Sequence, residues 1–341
     1  MRPFVLEQAG TLQDILQRGR YPGDEVPSAT APVEFLAGGT TVLDLMKIDV
    51  MRPARLVPLD AIEGLREIDA SDAGLTIGAL ATMADVAAHA DVARDYPALA
   101  ESLLLAASPQ LRNMATMGGN VLQRTRCPYF RDVRWLACNK RTPGSGCAAI
   151  GGNDRRLAVL GTSEHCIANY PGDLAIALVA LDAELETVDA EGMTRTLPVA
   201  ELHRLPGDTP HVETWLRPGE LIVRFLVPAS ARARRSVYVK VRDRASYDFA
   251  LASAAVALDL DDDVTVRSVG IGIGGMATRP WRARDAEHWL EGRHLDEESA
   301  TKAARLAFSK AHADGDRARK PELGRRTLVR ALLQAAERHG A

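Results

Sequence analysis

Four cysteines lie within 40 residues of one another, and the 341-residue chain has no others. They are Cys127, Cys138, Cys147 and Cys166, separated by gaps of 10, 8 and 18 residues. Four thiolates that come together can bind a zinc ion tetrahedrally or hold an iron–sulfur cluster. Neither the paired C-x-x-C of common zinc sites nor the tight spacing of ferredoxins is present. The spacing alone therefore leaves three alternatives open: a cluster, a zinc ion, and two disulfides or free thiols.

The segment that contains the cysteines is rich in glycine. Gly144, Gly146, Gly151 and Gly152 suit a loop wrapped around a bound group, because glycine lets backbone N–H groups come close to sulfur atoms. His165 could be a further ligand, but we expect it beside such a site or at the surface.

A first glycine pair, Gly38-Gly39, is followed by Thr40 and Thr41 at a predicted change from strand to helix. Backbone N–H groups at the start of a helix carry partial positive charge, so such a loop can bind a phosphate. It lacks the third glycine of the G-x-G-x-x-G fingerprint. A purely structural turn therefore remains an alternative.

A second pair, Gly118-Gly119, stands between Thr116 and Asn120. The glycines would let the backbone approach a ligand, while the hydroxyl and amide side chains offer hydrogen bonds to phosphate or sugar oxygens. A structural turn is again the alternative. Together the two loops indicate a clamp for a diphosphate.

The pattern of apolar residues places these motifs on an α+β chain. The first block predicts strand, helix and strand over residues 35–37, 42–47 and 55–59. The middle block has predicted strands over 75–79, 184–188 and 221–225, a helix that begins at the N-cap Thr82, and a buried helix over 174–181. The last third has predicted strands over 237–241, 249–260 and 266–274, then helices over 285–290, 297–313 and 324–338. A turn-rich loop is predicted over 21–28. Strands followed by helices are typical of an antiparallel sheet with segregated helices.

Length and composition limit the classes of protein. A chain of 341 residues, 46% hydrophobic and 26% charged, predicts two or three globular units. The net charge of −3 predicts no attraction to nucleic acid or membranes, and no apolar stretch reaches the roughly 18 residues of a membrane span. Residues 1–7 lack the apolar core of a secretory signal, so we expect export only together with a partner.

Several segments resemble successive signatures of one family. They are residues 35–40, 110–113, 118–120, 171–173, 240–247, 274–275 and 280–282. Over nearly its whole length the chain is similar to the FAD-binding (medium) subunits of the xanthine dehydrogenase and molybdenum hydroxylase family. The resemblance implies a FAD-binding domain of the vanillyl-alcohol-oxidase (PCMH) type with two subdomains, residues 1–62 and 63–228. It also implies a carbon monoxide dehydrogenase flavoprotein C-terminal domain over residues 229–341.

The cysteines lie where this chain departs from most of the family. Fifty residues, 121–170, separate the Gly-Gly-Asn loop from the Pro-Gly-Asp turn, against a few in other members, and every cysteine lies in this insertion, at about 124–168. A loop of that length inside a domain is usually functional. The insertion resembles that of the family's periplasmic aldehyde oxidoreductases, which implies that the four cysteines hold a [4Fe–4S] cluster.

The resemblance also implies which residues contact FAD. On one side of the diphosphate these are Ala37, Gly38, Gly39, Thr40, Thr41, Val42 and Leu43. On the other side they are Thr116, Gly119 and Asn120, with Gln123 close by. Asp173 is expected near the ribityl chain, Leu221 or Ile222 as an apolar flavin contact, and Lys240 and Tyr247 near the isoalloxazine ring. No residue of this chain is expected to be catalytic in the oxidation of a substrate.

The function implied is electron transfer within a heterotrimeric, molybdenum-dependent aldehyde oxidoreductase. Partner subunits would carry molybdopterin and [2Fe–2S] clusters, and electrons would leave this chain to an external acceptor. The resemblance implies a periplasmic location through export with the small subunit, with the cytoplasm as the alternative. The rival hypotheses are a free-standing flavoprotein oxidase and a zinc-stabilised interaction subunit without flavin.

Overall fold

The computed structural model describes residues 1–21 and 28–338, so most of the predicted loop over 21–28 lies outside the described residues. The strands are β1 (Val5–Leu6), β2 (Val33–Leu36), β3 (Arg55–Pro58), β4 (Ile68–Ser71), β5 (Gly74–Gly78), β6 (Glu184–Val188), β7 (Thr194–Pro198), β8 (Leu221–Pro228), β9 (Ser236–Val241), β10 (Ala252–Leu260), β11 (Val266–Gly274) and β12 (Trp281–Arg282). The helices are α1 (Leu12–Gly19), α2 (Val42–Lys47), α3 (Met83–Ala88), α4 (Ala90–Asp95), α5 (Pro97–Leu104), α6 (Pro109–Arg112), α7 (Met117–Val121), α8 (Pro128–Arg131), α9 (Leu174–Ala180), α10 (Val199–Leu202), α11 (Ala231–Arg234), α12 (Arg284–Leu290), α13 (Glu297–Ala307) and α14 (Lys320–Glu337).

The first sheet is parallel and has the strand order β1-β3-β2. Parallel neighbours need a crossover connection, and α2 lies in the connection between β2 and β3. The chain therefore leaves the carboxyl end of β2 and enters α2 through residues 37–41. This confirms the predicted order of strand, glycine loop and helix.

The second sheet is antiparallel, in the order β4-β5-β8-β6-β7. Phe225 of β8 pairs with both Ile77 and Leu185, and all three side chains are fully buried. Every residue of α9 is buried as well, as its unbroken apolar sequence predicts. The edge strands β4 and β7, in contrast, alternate between half-buried and exposed residues and were not predicted.

The third sheet, β12-β11-β10-β9, is antiparallel and packs against the last three helices. Its strand β11 also lies directly on α9. A side chain at Gly270 would overlap the carbonyl group of Ala180, and one at Gly272 would overlap that of Ile176. Glycine at these two positions therefore lets the helix of the second unit contact the sheet of the third.

One helix is shorter than predicted. The periodic pattern extends to residue 313, but α13 ends at Ala307. Phe308 turns into the core there, and the N–H of His312 donates to the carbonyl oxygen of Val159 at 2.8 Å. A contact with a segment about 150 residues away thus ends the helix before its sequence pattern does.

The α+β prediction is confirmed, because helices and mainly antiparallel sheets make up the described chain. Each sheet falls within one of the three predicted units, while the boundaries between the units stay a prediction. Among the described helices, none combines the length and the apolar character that crossing a bilayer requires.

Candidate functional site

A cavity of about 290 Å³ lies where the first and second units meet. Its walls come from β2 and the loop after it, from the loop after β5, from α7, and from the segment before β8. Ten residues predicted to contact FAD line it: Ala37, Gly38, Gly39, Thr40, Thr41, Val42, Thr116, Gly119, Leu221 and Ile222. The structure therefore brings together both predicted glycine loops and both apolar candidates.

The first loop offers backbone donors to this cavity. Gly39 has φ +71°, a conformation that glycine adopts without strain, and its carbonyl accepts from the N–H of Leu43 at 3.2 Å as α2 begins. Within the described chain, the N–H groups of Gly39, Thr40 and Thr41 donate to no carbonyl group. Unpaired N–H groups at a helix start can bind an anion.

The second loop is hydrogen-bonded to the segment just after β5, and one of its own side chains caps the helix that follows. The N–H groups of Met117 and Gly118 donate to the carbonyls of Ala81 and Ala79 at 3.0 and 2.9 Å. The hydroxyl of Thr116 accepts from the N–H of Gly119 at 3.2 Å, which makes Thr116 the N-cap of α7. Thr116 therefore has a structural role in addition to its place in the cavity wall.

The cavity also contains ionisable groups that were not predicted. Burial raises the pKa of Glu34 to about 7, although the charge of Arg124 opposes this change. Burial and the nearby Glu34 raise the pKa of Tyr21 to about 12. Arg124 is 5% exposed and forms an ion pair with Glu213, which itself lines the cavity. The distances between these residues along the chain explain why no sequence motif indicated them.

Asp173 and Lys240 lie outside the cavity lining and pair with each other. The Nζ of Lys240 donates to Oδ2 of Asp173 at 2.7 Å, and the hydroxyl of Tyr238 donates to Oδ1 at 2.5 Å. Burial raises the pKa of Asp173, while Lys240 and Tyr238 oppose the increase. The sequence placed both Asp173 and Lys240 at one cofactor, and the structure places them in direct contact.

The other predicted contacts, Leu43, Asn120, Gln123 and Tyr247, are not part of the cavity wall. Leu43 packs in the core beneath the first loop. Asn120 donates from Nδ2 to the sulfur of Met83 at 3.2 Å and accepts from Nε2 of Gln123, also at 3.2 Å. Tyr247 is 55% exposed.

The four cysteines lie in one buried cluster of side chains. Cys127, Cys138 and Cys166 are buried and Cys147 is half-buried, and all four are free thiols. Cys138 and Cys147 face each other in an antiparallel bridge, and the N–H of Asn139 next to Cys138 donates to the carbonyl of Gly146 at 2.7 Å. The two disulfide bonds that the spacing of the cysteines left open are therefore not formed.

Burial shapes the chemistry of these thiols. It raises the pKa of Cys127 to about 12, against the influence of the backbone N–H groups of Phe130 and Tyr129. Burial also raises the pKa of Cys138 and the pKa of Cys166. Backbone N–H groups oppose both increases, and at Cys166 the charge of Lys140 opposes the increase as well. No group of three or more His, Cys, Asp or Glu side chains in the described residues is placed to hold a metal ion.

The insertion is anchored on both sides. Arg131 forms two hydrogen bonds with Asp44 of α2, at 2.8 and 3.0 Å. On the other side, Arg317 donates to Asp154 at 2.7 Å, and both side chains are buried. Lys320 donates to the carbonyls of residues 156, 157 and 275. The cysteine segment therefore connects the glycine-loop unit with the C-terminal unit.

Two family models match consecutive parts of the chain. Residues 10–230 match the FAD binding domain in molybdopterin dehydrogenase. Residues 237–338 match the CO dehydrogenase flavoprotein C-terminal domain. The junction between the two matches falls close to the end of β8.

Individual relatives agree with these matches. The chain is 44% identical over 337 residues to the aldehyde oxidoreductase FAD-binding subunit PaoB of Escherichia coli (strain K12). The aligned residues cover 98% of this chain and 99% of the relative. It is 35% identical over 88 residues to the carbon monoxide dehydrogenase medium chain of Hydrogenophaga pseudoflava, covering 26% of this chain and 31% of the relative. The fold is similar to that of a chain of the reconstituted CO dehydrogenase from Oligotropha carboxidovorans, with a TM-score of 0.74, 23% identity, and coverage of 99% and 100%.

Proposed function

We propose a specific electron-transfer role for this chain, which belongs to the FAD-binding medium subunits of the molybdenum hydroxylase family of oxidoreductases. In this role it receives electrons that a partner subunit has taken from an aldehyde, and it passes them to an external acceptor. The observation that carries the proposal is the convergence of both glycine loops on one cavity. Bound FAD supplies a group that accepts electrons singly and delivers them in pairs.

The residues of the cavity fit the diphosphate half of this cofactor. The N–H groups of Gly39, Thr40 and Thr41 would donate to phosphate oxygens, because no carbonyl in the described chain takes them. Gly119 would approach from the opposite loop, and Leu221 would supply an apolar contact.

We assign the ring end of the cofactor to Asp173, Lys240 and Tyr247. The first two form the buried ion pair described above, and a cation held there would favour a reduced, anionic ring. Tyr247 is exposed and has the guanidinium of Arg244 5.6 Å from its ring centre, so the rest of its aromatic ring would contact a ring at the surface of the chain. These assignments stay proposals, as do those of Asn120 and Gln123.

We further propose that Cys127, Cys138, Cys147 and Cys166 hold a [4Fe–4S] cluster. In such a cluster each thiolate binds a different iron atom, whereas a zinc ion at about 2.3 Å draws all four sulfurs tightly together. The support for this proposal is that four free cysteines lie in one buried group inside the insertion for which the resemblance implies a cluster. The bound cluster would supply a redox centre and a cross-link.

We favour a structural role for the cluster over a conducting one. Apart from the short helix α8, the insertion consists of turns, isolated bridges and irregular backbone. Metal binding would order such a loop, because the free energy of binding contributes to folding. The four cysteines would then stabilise the segment that connects α2 with the C-terminal unit.

The partners that we propose are a molybdopterin-binding large subunit and a [2Fe–2S] small subunit. Export with a signal-bearing small subunit would bring the chain to the periplasm, and a cytoplasmic complex is the alternative. Separation of periplasmic and cytoplasmic fractions, followed by immunodetection of this chain, distinguishes the two.

Anaerobic addition of an aldehyde tests the electron-transfer role. In the purified complex we expect the flavin absorbance to bleach, whereas the flavin of the isolated chain should stay oxidised. Bleaching in the isolated chain would instead identify a free-standing oxidase. An aldehyde that reduces the partner subunits but leaves the flavin of the complex oxidised would reject the proposed role.

A further inference from the structure

Arg124 is a buried cation in the wall of the cavity. Some of the N–H groups of its side chain have no hydrogen-bond partner in the described part of the chain. Its guanidinium lies 5.0 Å from the centre of the Phe130 ring. The whole residue is 5% exposed. Nη2 donates to Oε1 of Glu213 at 3.2 Å, and Nε lies 2.5 Å from Oε2 of the same residue. In the described part of the chain Nη1 has no hydrogen-bond partner, and Nε, although close to Oε2, does not form a hydrogen bond either. A buried, charged N–H donor without an acceptor raises the free energy of the folded chain. A ligand atom that accepts a hydrogen bond from Nη1 would therefore be stabilising.

The position of Arg124 is fixed by two further residues. Glu213 accepts from Nζ of Lys140 at 2.7 Å, and Lys140 also donates to the carbonyl of Pro210 at 3.0 Å. Burial opposes the ionisation of Glu213, but Arg124 and Lys140 lower its pKa to about 2. A single carboxylate between two cations leaves positive charge uncompensated beside the cavity.

Two other acids line the cavity, Glu220 and Glu34. Glu220 is already paired with Arg195, whose Nε lies 2.6 Å from its Oε1. Glu34 is the acid whose pKa Arg124 influences. Its pKa of about 7 means that it is substantially protonated at neutral pH, so it neutralises Arg124 incompletely. The excess charge at this wall is therefore positive. An anionic ligand group is the occupant that such a wall favours.

The anionic part of FAD is expected in this cavity. The loop over residues 37–41 lines it, whereas Asp173, Lys240 and Tyr247, which we assign to the ring end, do not. On that assignment the cavity takes the ADP half of the cofactor. Arg124 comes from the start of the cysteine insertion and belongs to neither glycine loop.

We propose that Arg124 is an additional diphosphate-binding residue, which donates from Nη1 to a phosphate oxygen of FAD and is held in place by Glu213 and Lys140. This inference rests on the proposed function, because it requires the ADP half of FAD to occupy the cavity. A guanidinium suits the task, since it is always charged and presents its donors in a fixed plane. The insertion would thereby contribute to flavin binding as well as to the cysteine site.

Titration of the flavin-free full-length chain with FAD and, separately, with ADP tests the assignment. We expect Arg124→Gln to raise both dissociation constants by roughly ten- to a hundredfold, the loss typical of a charge-assisted hydrogen bond. Arg124→Lys keeps the charge and should recover part of the affinity. The matched control is Arg317→Gln, which removes another buried, carboxylate-paired arginine that is not part of the lining and should leave both constants unchanged.

The outcomes separate this inference from the proposed function. Unchanged constants in Arg124→Gln overturn the inference, and so does a loss of affinity for FAD without a matching loss for ADP. A parent chain that binds FAD but not ADP shows that the cavity is not the ADP site. A parent chain that binds neither contradicts the proposed function itself. Thermal unfolding of each flavin-free variant shows whether the fold is retained, and Arg124→Lys decides the case if Arg124→Gln does not fold.

Discussion

The carbonyl group of Met114 lies directly against the α carbon of Gly38, so the two glycine loops touch through their backbones. A methyl group at position 38 would overlap that carbonyl, and neither backbone can rotate away as a side chain could. The contact sets the width of the cavity between the loops. Gly38 is therefore needed for the shape of the site, independently of any bond to FAD.

We predict that Gly38→Ala destabilises the flavin-free chain by about 1–3 kcal/mol, the usual range for overpacking, and lowers flavin content after purification. Urea unfolding and the ratio of flavin to protein absorbance measure the two effects. Gly10→Ala is the matched control, since nothing lies within 4 Å of the added methyl group. Equal stability and flavin content in both variants would show that the loops do not touch as described.

Glu34 predicts a pH dependence of stability. Its pKa is raised from 4.5 to about 7 in the folded chain, so folding favours the protonated carboxyl group. The stabilisation is full below pH 4.5 and is lost as pH rises through 7. Glu34→Gln, which mimics the neutral acid, should remove this part of the decline in urea-unfolding free energy between pH 5 and 8. The exposed change Glu63→Gln should retain it, and parallel curves for all three chains would refute the prediction.

The ion pair of Asp173 and Lys240 predicts an asymmetric response to mutation. Removal of one partner leaves the other charge buried without compensation, which typically costs about 3–5 kcal/mol. We expect Lys240→Met to cause such a loss, and the double variant Lys240→Met/Asp173→Asn to recover much of it. Lys310→Met, which breaks an exposed pair with Asp285, should change the unfolding free energy by less than about 1 kcal/mol. A double variant less stable than the single one would contradict the pairing.

Cys138 offers the clearest test of the cysteine ligands, since it is buried and adjoins Cys147 in the bridge. We predict that Cys138→Ser loses most of the iron and acid-labile sulfide but retains most of the FAD, because Cys138 does not line the cavity. Iron, sulfide and flavin assays on the purified chain measure all three. Ile150→Ser, an exposed change in the same insertion, should lose none of them. Unaltered iron in Cys138→Ser would exclude Cys138 as a ligand.

The features that the sequence predicted well depend on local patterns. Thr82 is the N-cap of α3, as its position before the apolar repeat indicated, and its hydroxyl accepts from the N–H of Asp85. The strand over Glu184–Val188 and the buried helix that begins at Leu174 follow from their own residues. Such elements need no knowledge of the rest of the fold.

The features that sequence reasoning missed depend on contacts between distant segments. Glu34, Arg124 and Glu213 meet at one cavity although about 90 residues separate each from the next. No periodicity or spacing in the sequence predicts such a group. Taken singly, each of the three residues looks like an ordinary charged side chain. A lone charged residue within an otherwise apolar strand, as at Glu34 of β2, was the available signal.

Analysis of the flavin and metals in the purified complex, with electron paramagnetic resonance of its reduced form, tests the proposed function most directly. We expect one FAD for each copy of this chain and the spectrum of a reduced [4Fe–4S] cluster beside those of the [2Fe–2S] clusters. Replacement of all four cysteines of this chain by serine should remove only the [4Fe–4S] spectrum. Zinc in place of the additional iron, or a [4Fe–4S] spectrum that survives the four replacements, would contradict the proposed function.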